Sequence, residues 1–332
     1  MQLPRRRWLD LLCLFIAAHF TIAYLTLTTV MVPLIPFTPE FARGGPFAFR
    51  MLPAMLWSVA LWCAQPFAQH PWPALNPPFQ SPQECFIALV TFLSIAGAML
   101  TIRRTIRFSC PAWAEWFAPL LGILAYFDLI LPLHRNIWYP YDALAIFFFA
   151  LLIDAAYRNR PWLFVLALPF AILNKETAIM TVIAYAAFQY THMQTRRLAI
   201  LCGSFATVAL VIREIQKAWI LHVCHNMCGT GTQHLLLFNL KQLLNPLFWL
   251  ALAGVFGFAW VLLVLLWDDI PPRIRRAVVW VGAAWIAAML WNGILRELRI
   301  FSELSVLVVL SIATGAAHYL ANMRHKKDAP GI

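Results

Sequence analysis

The chain has 332 residues, of which 62% are hydrophobic and 12% charged, with a mean hydropathy of +0.73. Soluble domains carry about 25% charged residues and are near half apolar, so this composition excludes a water-soluble globular domain. It predicts an all-α polytopic transmembrane bundle. The formal net charge of +11 does not indicate nucleic acid, because most of the 25 Lys and Arg residues fall in short clusters between apolar runs.

Those clusters are Arg5–Arg7, Arg103/Arg104/Arg107, Arg158/Arg160, Arg196/Arg197, Arg273/Arg275/Arg276 and Arg324/Lys326/Lys327. The positive-inside rule places them in the cytoplasm. Arg5–Arg7 before an apolar run resembles a signal peptide. The run reaches from Trp8 to Val32, however, longer than a signal peptide's apolar region, and it lacks a clear small-x-small cleavage site. It reads as a retained first span. About ten spans satisfy every cluster, at 8–31, 84–102, 112–133, 142–157, 162–173, 177–191, 198–212, 246–266, 277–295 and 300–320. Both termini are then cytoplasmic, the membrane is the bacterial inner membrane, and residues 1–332 form one integral membrane domain.

The first outer loop (32–83) is rich in Pro, Gly and aromatics, which favours an ordered extended loop over a helical hairpin. As a span, Met51–Ala64 would invert everything before it, so it reads as an interfacial helix at the outer surface. Arg50 leads into that helix; its planar fork suits phosphate oxygens, and snorkelling to headgroups is the equal alternative. Glu40 is the acid in the body of the loop, either a base or a solvated side chain. Asp128 lies near the outer end of the third span. The short loop that follows, 134–141, carries Arg135 and ends in Tyr139-Pro140-Tyr141, before Asp142. That carboxylate opens the fourth span, where it caps the helix or acts in a site. Asp154, four residues before Arg158, reads as a surface ion pair.

Spans five and six are short and flank Asn174-Lys175-Glu176-Thr177. One continuous helix over 162–190 would put Arg158/Arg160 and Arg196/Arg197 on opposite sides, so a hairpin is predicted with this tip at membrane depth. Charge there is costly and signals a site. A private Lys175–Glu176 pair is disfavoured because adjacent residues do not face each other on a helix. In the second outer loop (213–245), Cys224 and Cys228 are open to a disulfide or to free thiols. Zinc on His222, Cys224, His225 and Cys228 matches no common spacing. Residues 239–246 read as a surface helix. Finally, the outer turn carries Arg296, Glu297, Arg299 and Glu303, and Arg299 and Glu303 are predicted to pair at i, i+4.

Sorted by side, the cytoplasmic connections are basic, with Asp10, Glu115 and Asp154 peripheral. The outer half holds mixed charges that suggest a single polar cavity. Such an inventory suits a phosphate-bearing lipid and a base for an incoming hydroxyl, and equally an ion-coupled transporter.

The long first outer loop with its surface helix, and the charged outer face, resemble the C-type (GT-C-like) membrane glycosyltransferases. The strings Pro46–Pro53, Tyr139–Asp142, Asn174–Thr177 and Arg299–Leu304 also resemble a family of bacterial membrane proteins. The resemblance implies transfer of a sugar from a polyprenyl-phosphate donor. Arg50, Lys175 and Arg299 would bind the donor phosphate, and Glu40 or Asp142 would act as base. Asn174, Glu176, Glu297 and Glu303 would support the cations. The superfamily's Asp-containing motif after the first span is replaced here by Glu40. No metal or cofactor is required; the expected partners are the polyprenyl-phosphate lipid and membrane lipids, with oligomeric state open. A transporter or flippase for a lipid-linked saccharide or small anion, or a non-enzymatic assembly subunit, is the alternative.

Overall fold

A computed structural model describes residues 3–27, 50–67, 81–131, 142–223, 235–293, 295 and 297–328. Glu40, Arg135, Arg296, Cys224 and Cys228 lie outside these residues. Helices dominate, and no strand occurs among the described residues. In chain order they are α1 (Leu3–Leu27), α2 (Met51–Ala64), α3 (Pro82–Ser109), α4 (Leu120–Leu129), α5 (Asp142–Tyr157), α6 (Pro161–Asn174) and α7 (Met180–Gln189). There follow α8 (Thr195–Val223), α9 (Leu236–Leu243), α10 (Pro246–Ala253), α11 (Ala259–Leu265), α12 (Pro272–Asn292) and α13 (Ser305–Asp328). Among the described residues, five segments are long and apolar enough to cross a membrane: Arg7–Leu27, Pro82–Ser109, Thr195–His222, Pro272–Asn292 and Leu298–Arg324. A sixth is possible if α9 and α10, bent by 90°, count as one. The chain is an integral membrane protein by this measure.

The centre of the bundle is α5, which is buried from Asp142 through Tyr157 on nearly every side. A helix apolar all round belongs inside. It packs on α3, α6 and α7, while α1 packs on α3 and α7 on α12. The periphery is different: α6 buries Phe164, Ala167, Leu168, Ala171 and Ile172, spaced as one helical stripe, and exposes Trp162, Leu166 and Phe170. That outer face suits lipid.

α6 and α7 form the expected hairpin. Lys175 adopts an extended conformation (φ −159°, ψ 128°), which ends α6, and a 3-10 turn, Glu176–Ile179, leads into α7. The return is fixed at the far end by three contacts. The Tyr185 hydroxyl donates to Asn159 Oδ1 (2.9 Å), Gln189 Nε2 donates to the Ala156 carbonyl (2.7 Å), and the Phe164 and Tyr185 rings lie 5.3 Å apart.

Three expectations are corrected. The second outer loop does not begin at 213, because α8 continues to Val223. Residues 213–223 contain no Gly or Pro and several good helix formers, so nothing stops the helix. Asp154 is not a surface residue: it is fully buried, paired with Arg104, accepting from Thr105 Oγ1 (2.9 Å), and 3.6 Å from Arg158 Nη1. Glu115 is likewise buried rather than peripheral, 2.7 Å from Arg103 Nε, and Arg103 also pairs with Asp10. Both corrections have one cause, since α3 turns Arg103 inward against Asp10 of α1 and Glu115, and carries the half-exposed Arg104 to Asp154 of α5.

Candidate functional site

At the opposite end of α5 from Asp154, twelve residues and so about 18 Å away along the axis, four separated stretches converge. Asp142, at the first turn of α5, is completely buried. Its Oδ2 lies 3.4 Å from Arg299 Nη1 and 3.5 Å from the Tyr24 hydroxyl. Its Oδ1 lies 3.7 Å from Lys175 Nζ and, among the described residues, accepts no hydrogen bond. The side chain therefore faces the interior cluster, not its own helix end.

Each cation has its own carboxylate. Lys175 Nζ sits 2.6 Å from Glu303 Oε1, and that same oxygen accepts from Thr177 Oγ1 at 3.2 Å. Arg299 Nη2 lies 2.7 Å from Glu297 Oε2, and Arg50 Nε lies 4.0 Å from Glu176 Oε2. Lys175 and Glu303 are 5% and 1% exposed, which makes theirs a buried ion pair; Asn174 beside it is wholly buried. Lys175 and Glu176 thus have different partners and do not pair with each other. Arg299 and Glu303 do not pair either. Leu298–Leu304 is a 3-10 turn, whose period of three places i and i+4 on different faces.

Local chemistry explains the placement. Arg50 stands at the N-terminal boundary of α2, which packs on α3 and α6 and so carries it toward the hairpin tip. The turn bearing Glu297, Arg299 and Glu303 is anchored by Asn239 on α9, a residue the sequence reading left on a surface helix. Asn239 is buried, and its Nδ2 donates to the carbonyls of Met289 (3.1 Å), Leu290 (2.9 Å) and Gly293 (2.7 Å) at the end of α12. Its Oδ1 accepts from Leu295 N (3.2 Å). Replacing Asn239 by Ala leaves those helix-end carbonyls and the Leu295 amide without their partner. The expected loss is about 1–3 kcal/mol, read as a lowered unfolding temperature in detergent.

Asp128 does not join the cluster. Its Oδ1 accepts the Phe256 amide at 2.8 Å and so holds the turn between α10 and α11. Phe256, Gly257 and Phe258 are successive left-handed residues (φ 59°, 54° and 62°). At Gly257 an added Cβ would also lie 2.8 Å from the Phe127 ring. A buried acceptor aimed at such a strained turn is a structural device.

Sequence reading also missed Tyr24, which looks like an ordinary aromatic of the first span, and Arg213, whose charge acts on Glu176 from α8. With Arg213 included, cations and carboxylates around the cluster balance among the described residues. A water-sized cavity of about 10 Å³ adjoins Lys175, Thr177 and Glu303, walled by Phe148 and Phe149. A larger cavity, about 310 Å³, opens between α1 and α4 beside Phe15, His19, Phe20 and Tyr126. One of its lining residues, Phe20, stacks on Tyr24 with ring centres 5.3 Å apart, and the Tyr24 hydroxyl lies 3.5 Å from Asp142 Oδ2. Among the described residues, no group of His, Cys, Asp and Glu side chains is arranged to hold a metal ion.

In comparisons with family models, curated proteins and solved structures, nothing matches this chain. The geometry alone carries the functional reading.

Proposed function

We propose that the chain is a membrane glycosyltransferase that takes a polyprenyl-phosphate-linked sugar at the extracytoplasmic face of a bacterial inner membrane. The observation that carries this reading is the convergence of Arg50, Asp142, Lys175 and Arg299 from four separated stretches on one buried site. In the proposed topology the short helices complete about ten crossings, both termini are cytoplasmic, and the cluster faces outward. The basic clusters at the other end favour that orientation.

In this reading the donor phosphate exchanges with the carboxylates now holding Arg50, Arg299 and Lys175, since charge-assisted bonds from arginine forks suit phosphate oxygens. The lipid tail lies in the apolar cavity beside Phe20 and Tyr126. Asp142 accepts the proton of the incoming hydroxyl through its free Oδ1, and the hydroxyl oxygen attacks the anomeric carbon. The bond between that carbon and the phosphate oxygen breaks, and the electron pair leaves with the polyprenyl phosphate. Glu297, Glu303 and Glu176 orient the cations, and Asn174 completes the buried tip. Glu40, the other candidate base, lies outside the described residues.

A transporter is the second reading, favoured by one observation: a second buried ionic layer, around Arg103, Glu115 and Asp154, closes the other end of the bundle. Ionic layers at both ends suit alternating access. Reconstitution into liposomes with a labelled polyprenyl-phosphate hexose, and a bacterial membrane extract as the source of hydroxyl acceptor, separates the two. The transferase reading expects sugar to leave the lipid, so that free polyprenyl phosphate accumulates, and Arg50→Ala with Arg299→Ala to reduce this by at least about tenfold. Movement of intact lipid-linked sugar between leaflets without cleavage would favour the transporter.

A further inference from the structure

At the basic end of the bundle, away from the cluster, Arg158, Phe108, Tyr157 and Arg273 form a row. The Arg158 guanidinium lies 5.3 Å from the Phe108 ring centre, the Phe108 and Tyr157 rings meet edge-on at 6.3 Å, and the Arg273 guanidinium lies 3.7 Å over Tyr157. Stacking fixes a guanidinium's plane but leaves its in-plane N–H donors unused. Among the described residues, Nε and Nη1 of Arg158 are buried and make no hydrogen bond. Asp154, at 3.6 Å from Nη1, is too distant to satisfy it and is already committed to Arg104 and Thr105. Arg104, Arg158 and Arg273 outweigh Asp154 here, so the corner has excess positive charge. Phe108, 58% exposed, extends the row onto the lipid-facing surface.

We propose that this corner is a binding site for the phosphodiester headgroup of an anionic phospholipid. Phosphate oxygens take the unused donors of Arg158 as its guanidinium turns outward along Phe108, together with the in-plane donors of Arg273, and acyl chains run along Phe108. Buried arginine donors without acceptors are costly, and a phosphodiester at the bilayer surface supplies acceptors where a neutral headgroup supplies no net charge. The site is independent of the proposed transferase activity, because it lies at the other end of α5.

Native mass spectrometry of the full chain, released from detergent with added phosphatidylglycerol or phosphatidylcholine, tests it. The wild type is expected to retain phosphatidylglycerol about tenfold better than phosphatidylcholine, and Arg158→Gln to remove most of that preference. Arg273→Gln, whose side chain stacks on Tyr157 at the bundle surface, serves as the second variant if Arg158→Gln fails to fold, and is expected to weaken retention in the same direction. Excess inorganic phosphate leaves lipid retention unchanged if the ligand is the lipid. Equal retention of the two lipids, unchanged retention in the folded variants, or displacement by inorganic phosphate would each overturn the assignment.

Discussion

Lys175→Met lowers the stability of the folded chain by about 3–5 kcal/mol and abolishes activity. The substitution keeps the length and apolar stem of the side chain but strands Glu303, 1% exposed, without its cation, while Asp142 keeps Arg299. Removing one partner of a buried ion pair costs that much because an uncompensated charge is left behind. Adding Glu303→Gln to Lys175→Met removes the stranded charge, so the double variant should regain most of the lost unfolding temperature in detergent. It should not regain activity, because the amine that faces Asp142 and the proposed phosphate is still missing. Recovery of both together would mean that Lys175 is purely structural, and the site would lie elsewhere.

Asp142→Asn separates binding from turnover. The amide is close to the carboxylate in shape, so the contacts with Tyr24 and Arg299 persist in weaker form and the protein inserts and accumulates. In the proposed reaction what is lost is the ability to accept a proton at Oδ1, and general-base catalysis contributes about 10²–10⁴ in rate. Turnover in membranes should fall by that factor while donor binding changes little. A variant that turns over at the wild-type rate would shift the base to Glu40.

Several features of this architecture were legible in the amino-acid order because they follow from the cost of charge in hydrocarbon. The hairpin at Lys175 is one: Arg158/Arg160 and Arg196/Arg197 can share a side of the membrane only if the chain turns back between them. The partner of each charge was less legible. The i, i+4 rule suggested Arg299 with Glu303, but Leu298–Leu304 is a 3-10 turn, and Glu303 reaches Lys175 instead. Apolar periodicity locates a helix but does not reveal which polar side chain another helix will deliver to it. Asp154 therefore read as a surface residue until Arg104 and Thr105 of α3 were placed against it. Tyr24 and Asn239 are similar cases. Neither breaks its local pattern, and each acquires its role through contact with residues at least fifty positions away. The number of crossings is the coarsest point. Helices at many of the expected stretches are present, but among the described residues five segments meet the length and hydropathy of a full span unaided.

In the proposed reading the cluster of Arg50, Asp142, Lys175 and Arg299 recognises a lipid-borne phosphate. The most direct measurement is thermal unfolding of the purified chain in detergent with a short-chain polyprenyl phosphate, set beside the matching polyprenol. Ligand that binds only the folded state raises its stability by mass action. The phosphate lipid is expected to raise the unfolding temperature of the wild type and of Asp142→Asn, the polyprenol to have little effect, and Arg299→Ala to lose the shift. Equal shifts from the two lipids, or a full shift retained in Arg299→Ala, would contradict it.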